Sequence, residues 1–167
     1  LSSQAKKLII IKATDEPSTA VWIKQKMTKA AELGLTCEVI EFPNNALTNQ
    51  VVDAIVEKNN DESVGGILVQ LPLYQQLDAE EIINTVDPTK DVDGLTALNQ
   101  GYLATNPRII PATVAAILEI IKYKEIDLTG KHVVVVNHST LIGRPLAQIL
   151  LNQNATVTIC HKFTQDL

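Results

Sequence analysis

The apolar run Gly66-Ile67-Leu68-Val69, closed by Gln70-Leu71-Pro72, constrains the fold of this chain more than any other stretch. No polar residue alternates through it, which suits a strand covered on both faces, as in a parallel sheet between helix layers. Proline has no ladder N–H, so the strand must leave the sheet by Pro72. Gln70 then stands at the strand's carboxyl end, the edge along which open α/β sheets bind ligands. A second polar cluster, Asp87-Pro88-Thr89-Lys90-Asp91-Val92-Asp93-Gly94, follows a short helical pattern. An amide and several carboxylates are therefore expected along one edge.

The flanking sequence alternates strand and helix signals. Leu8 to Ile11 reads as a buried strand, and 20–33 as a helix stopped by Gly34. Thr36 to Phe42 reads as a strand and Asn49 to Lys58 as a helix. Asp78 to Val86 is a short helix with Asp78 as its N-cap. Pro111 to Tyr123 is a longer helix opened by proline. This alternation predicts an α/β fold with a mostly parallel sheet. On the first helix Trp22 and Lys26 are four apart and share a face, with Thr19 at the same end. On spacing alone, Trp22 reads as core packing and Lys26 as a solvated lysine among Lys24 and Lys29.

The last third reads as a βαβ unit. Lys131 to Val136 is an apolar strand, and Asn137-His138-Ser139-Thr140-Leu141-Ile142-Gly143-Arg144-Pro145 is a turn into a helix. A second strand, Thr156 to Cys160, ends at His161-Lys162. The length suits a dinucleotide-binding unit, but Gly143 alone stands where several glycines are usual, so an ordinary βαβ core fits as well. With no acid at the second strand's tip, His161 and Lys162 favour a 2′-phosphorylated dinucleotide, or else simply cap an exposed strand end.

Composition narrows the function. Lys and Arg number 14 against 19 Asp and Glu, a net charge of -5, which disfavours nucleic acid as a partner. No apolar run reaches membrane-spanning length and no signal-peptide pattern opens the chain. Cys37 and Cys160 lack metal-ligand spacing and read as reduced thiols of a cytoplasmic protein, with no metal site expected. The chain begins at Leu1 and stops at Leu167 just after a strand, so we expect a fragment of a longer protein, which leaves an organellar form open.

Taken together, these motifs resemble the bifunctional methylenetetrahydrofolate dehydrogenase/methenyltetrahydrofolate cyclohydrolase family. The resemblance rests on Asn59-Asn60-Asp61 with Ile67 to Leu73, on Asp87 to Gly94, and on Gly143-Arg144-Pro145 with Ala155 to Thr158 and Cys160-His161. It implies a catalytic α/β domain over 1–110 and a partial Rossmann-like NAD(P)-binding domain over 111–167, with folate in the cleft between them, in a homodimer. The implied reaction oxidises 5,10-methylenetetrahydrofolate with NADP, NAD being less favoured, and hydrolyses the methenyl product to 10-formyltetrahydrofolate. Lys26, Gln70 and Asp93 match the catalytic positions. Thr19, Trp22, Gln70, Leu71, Pro72 and Asp93 match the folate site. Asn137, His138, Ser139, Ile142, Gly143, His161 and Lys162 match the cofactor site.

These roles are chemically coherent. A desolvated amine can shuttle protons when water attacks, an amide can orient it without adding charge, and a carboxylate can accept hydrogen bonds from a pterin's amino and ring N–H groups. Some positions depart from the family pattern. Trp22 replaces a tyrosine, Asn137 the first glycine of the turn, His138 a residue that is often basic, and Val114 and Ala116 a proline and a glycine. Trp22 and Asn137 keep a second reading open, a catalytically impaired folate-binding or dimer-partner homologue.

Overall fold

In a computed structural model, which describes residues 6–166, the chain divides into two compact units, Leu1–Val92 and Asp93–Leu167. The first unit holds β1 (Lys7–Lys12), α1 (Pro17–Glu32), β2 (Cys37–Glu41), α2 (Thr48–Asn60), β3 (Val64–Gln70) and α3 (Ala79–Thr85). Its strands lie in the order β2-β1-β3, all parallel. The fold is α/β, as the alternation of elements predicts.

Burial explains the apolar runs. Ile9, Ile10 and Ile11 of β1 are all fully buried, although neighbours along a strand point to opposite faces. Ile9 and Ile11 pack with Val51 and Ile55 of α2, Ile67 and Val69 of β3, and Ile82 of α3. Ile10 packs on the other face with Leu68 and with Ile23 of α1. With helices on both faces, neither side of β1 can be polar. The chain runs from β1 to β2 on one side and then crosses to β3 on the other. The strand order therefore reverses between β1 and β3, at the switch point where ligand crevices form.

The acidic cluster is anchored to this frame. Ile67 N–H donates to Lys90 O at 2.7 Å, and Ile67 forms a parallel bridge with Asp91. A Cβ on Gly66 would lie 2.4 Å from Val92 Cγ1, so the glycine inside the apolar run is what admits this segment. The Asn59 carboxamide donates to Thr85 O and accepts from Asp87 N–H, at 2.7 and 2.9 Å. Lys90 Nζ donates to the carbonyls of Lys58, Asn59 and Asp61 at 3.1, 2.7 and 2.8 Å, closing the carboxyl end of α2.

The second unit holds α4 (Ala97–Tyr102), α5 (Ala112–Tyr123), β4 (His132–Val136), α6 (Gly143–Asn152) and β5 (Thr156–Cys160). β4 and β5 pair in parallel, from His132 opposite Thr156 to Val136 opposite Cys160. Its core gathers Leu103, Val114, Leu128, Val135, Leu146, Ile149, Leu150 and Ala155. Segment 93–110, which the sequence reading joins to the first domain, lies in this unit, with Leu103 fully buried in its core. Helix α4 was not expected from sequence; its six residues are too few to display a period, although Thr96 caps it by accepting from Asn99 N–H.

Candidate functional site

The carboxyl edge of β1 and β3 carries the first group of candidate residues. Gln70 is the last residue of β3 and pairs with Lys12, the last of β1. Its side chain is buried, and each of its two polar atoms has a partner. Lys26 Nζ donates to Gln70 Oε1 at 2.8 Å, and Gln70 Nε2 donates to Leu71 O at 2.9 Å. The second bond fixes which way the amide faces. Reversed, it would set an NH2 against the lysine nitrogen and an oxygen against a carbonyl oxygen, losing both bonds. The chain turns away immediately at Leu71-Pro72, whose peptide bond is cis.

Lys26 is half-buried rather than the solvated surface lysine that spacing alone suggests. Thr19 is fully buried, within the first turn of α1. Trp22 does not pack into the core. It is 56% exposed, which leaves an indole surface on the helix that carries Lys26. Asp93, half-buried, opens the second unit.

Other residues at this edge escaped the sequence reading. Lys12, Thr14, Asp15, Asn44 and Tyr74 line an open groove of about 470 Å³. Tyr74 Oη donates to Asp15 Oδ1 at 2.9 Å, and Tyr74 N–H donates to Ala13 O at 2.8 Å. Desolvation, followed by the neighbouring Asp15 carboxylate, pushes the Tyr74 phenol above its ordinary pKa. Lys12 pairs with Glu41 at 3.2 Å. Position at a strand's carboxyl end could have flagged Lys12. No periodic signal marks Tyr74.

The second group lies at the carboxyl ends of β4 and β5. Val136, Asn137, His138, Ser139, His161 and Lys162 line a groove of about 440 Å³. The His138 and His161 rings stand 4.6 Å apart between centroids. Phe163 N–H donates to His161 Nδ1 at 3.2 Å, so the neutral ring carries its proton on Nε2. Lys162 Nζ lies 4.8 Å from the centre of the Phe163 ring. Gly143 cannot be replaced without movement: a Cβ there would lie 2.0 Å from Asn137 O. Ile142 N–H donates to Ser139 Oγ at 3.1 Å. A dinucleotide asks of such a unit a helix N-terminus, a closely approaching turn, and a polar group at the second strand's tip. Helix α6, Gly143 and His161-Lys162 fit those demands.

Comparison with known proteins bears on both groups. Residues 1–93 match the model of the tetrahydrofolate dehydrogenase/cyclohydrolase catalytic domain, and residues 111–167 that of the family's NAD(P)-binding domain. A Streptococcus agalactiae protein named bifunctional protein FolD is 39% identical over 161 residues, covering 96% of this chain and 57% of that protein. The crystal structure of the Campylobacter jejuni bifunctional enzyme FolD, a methylenetetrahydrofolate dehydrogenase/cyclohydrolase, superposes with a TM-score of 0.92 at 36% identity over 97% of this chain and 58% of its own. The Trypanosoma brucei dehydrogenase-cyclohydrolase, solved with NADP cofactor and an inhibitor, gives 0.91 at 30% identity over 95% and 55%. The chain thus spans little more than half the length of the relatives it matches.

Proposed function

The chain belongs to the tetrahydrofolate dehydrogenase/cyclohydrolase family, and from that footing we propose that it oxidises 5,10-methylenetetrahydrofolate with NADP and hydrolyses the methenyl product to 10-formyltetrahydrofolate. The observation that carries this reading is the 2.8 Å hydrogen bond from Lys26 Nζ to Gln70 Oε1 at the sheet's switch point. It joins two candidate catalytic side chains that stand 44 positions apart in the sequence.

In this reading the exposed Trp22 indole offers a flat apolar surface on which a pterin ring stacks. Asp93 accepts hydrogen bonds from the pterin's amino and ring N–H groups. NADP supplies the hydride acceptor; the turn 137–143 and the His161-Lys162 tip hold it, the latter through its 2′-phosphate. Water then adds to the methenyl carbon and gives one proton to the Lys26 amine; the adduct collapses as its hydroxyl proton is lost, the carbon–N5 bond breaks and N5 takes up a proton, leaving the formyl group on N10, and the Lys26 proton is released to solvent. Gln70 Oε1 accepts from Lys26 in either protonation state, so the lysine stays aimed while its proton load changes.

We place the protein in the cytoplasm, supported by two unpaired cysteines, Cys37 and Cys160. No described helix is long and apolar enough to cross a membrane. A homodimer is the assembly the family resemblance implies, and sedimentation of the purified protein tests it. Activity is tested by supplying methylenetetrahydrofolate with NADP and following methenyl absorbance and NADPH together. Both signals should rise in step; well-folded protein that produces neither contradicts the dehydrogenase reading.

A further inference from the structure

Four amides of the turn before α6, those of Ser139, Ile142, Gly143 and Arg144, already have acceptors. Asn137 Oδ1 accepts from Ser139 N–H at 2.8 Å and from Gly143 N–H at 3.2 Å. Ile142 N–H is held by Ser139 Oγ at 3.1 Å, and Arg144 N–H by Ser139 O at 3.0 Å. Pro145 has no N–H, and the next amide, Leu146, already donates to Ile142 O at 2.8 Å. A helix N-terminus attracts anions because its first N–H groups lack partners. Here the amides of Ser139, Ile142 and Gly143 already hold a side-chain oxygen, and that of Arg144 a main-chain one.

From this geometry we infer that the Asn137 carboxamide is an internal cap on the turn, which the diphosphate of a dinucleotide must displace to reach the amides of Ser139 and Gly143. The inference rests on the cofactor reading above and adds a cost to it. Asn137 Oδ1 is the acceptor to be displaced because it serves two amides at once and sits on a rotatable side chain. Ser139 O, by contrast, is fixed in the main chain. Asn137 also lines the groove with His138, Ser139, His161 and Lys162, so its carboxamide stands where the ligand must come. The cap therefore trades cofactor affinity for a turn that is bonded without ligand.

Such a trade gives affinity and stability opposite signs. In the intact protein, Asn137→Ala frees both amides. It should bind NADP about tenfold more tightly than wild type while melting at a lower temperature. Asn137→Asp keeps an acceptor of the same shape and adds a negative charge at the helix N-terminus. It should bind NADP about tenfold more weakly without melting earlier. Inorganic pyrophosphate, used as a competitor, should follow the same order. A residue that merely supports the turn would lower affinity and stability together in the alanine variant. If wild type binds NADP and Asn137→Ala binds it no better, the cap is overturned alone. If wild type and both variants fail to bind NADP, NAD and pyrophosphate, the cofactor reading falls and the cap with it. Should the alanine variant not fold, Asn137→Asp binding as tightly as wild type overturns the cap.

Discussion

The Lys90 ammonium faces three main-chain carbonyls at the end of α2, a position that burial makes costly to leave unfilled. Lys90→Met keeps the length of the side chain and removes the donors. It should lower the unfolding free energy by about 2 kcal/mol, read as a shifted urea midpoint with an unchanged slope. An unchanged midpoint would mean that the motif's lysine does not brace α2. Sequence could not reveal this role, because the three carbonyls lie 29 to 32 positions away and belong to no side-chain pattern. Trp22 is the complementary case. Spacing suggests a core residue, whereas the helix turns it outward, since Ile23 is the residue that faces Ile10 and Leu68. Trp22→Ala should weaken folate binding about tenfold with little change in thermal midpoint. A large drop in stability with unchanged folate affinity would assign it to packing after all.

Among the elements, β1 is the one the first unit cannot lose. Ile10→Ala removes apolar atoms that are fully buried opposite the larger cluster, and should cost about 3 kcal/mol in equilibrium unfolding. A cost below about 1 kcal/mol would contradict the two-sided burial of the strand. The strands and most helices were legible because β-branched apolar runs and helical spacing mark them locally. Helix α1 begins at Pro17, earlier than the sequence reading, because proline suits the first helical turn. What stayed hidden was α4, too short for a period, and the turn at Asn137. There the sequence shows only an asparagine in place of the first glycine, whereas the structure shows its carboxamide oxygen accepting from the amides of Ser139 and Gly143.

Three further turns share one device: Asp61, Asp87 and Asp127 each accept the N–H of the residue two further on, from Ser63, Thr89 and Thr129. At Asp61 and Asp87 the Ser63 and Thr89 hydroxyls, which donate to the same oxygens, and then these N–H bonds hold the carboxyl below its ordinary range; at Asp127 the Thr129 N–H leads. A carboxylate with a depressed folded pKa contributes stability above its unfolded value, near about 3.9, and loses it as pH falls through the folded one. The thermal midpoint should therefore fall on acidification below about pH 4, and less steeply in Asp87→Asn, whose amide oxygen accepts without titrating. An identical acid slope in that variant would remove Asp87 from the account.

The whole molecule is two α/β units with separate cores, each presenting candidate residues at the carboxyl ends of parallel strands. That common placement is why the site was partly readable from sequence: the end of a buried strand can be located before any contact is known. The partner that Gln70 would take could not be located that way, since the bond to Lys26 depends on how α1 lies against the sheet. The most direct test of the account is the rate of methenyltetrahydrofolate hydrolysis by the intact protein and by Lys26→Met, with NADP affinity measured alongside. The account predicts hydrolysis at least about a hundredfold slower in the variant, with NADP affinity unchanged. Hydrolysis at the wild-type rate in the folded variant would contradict it.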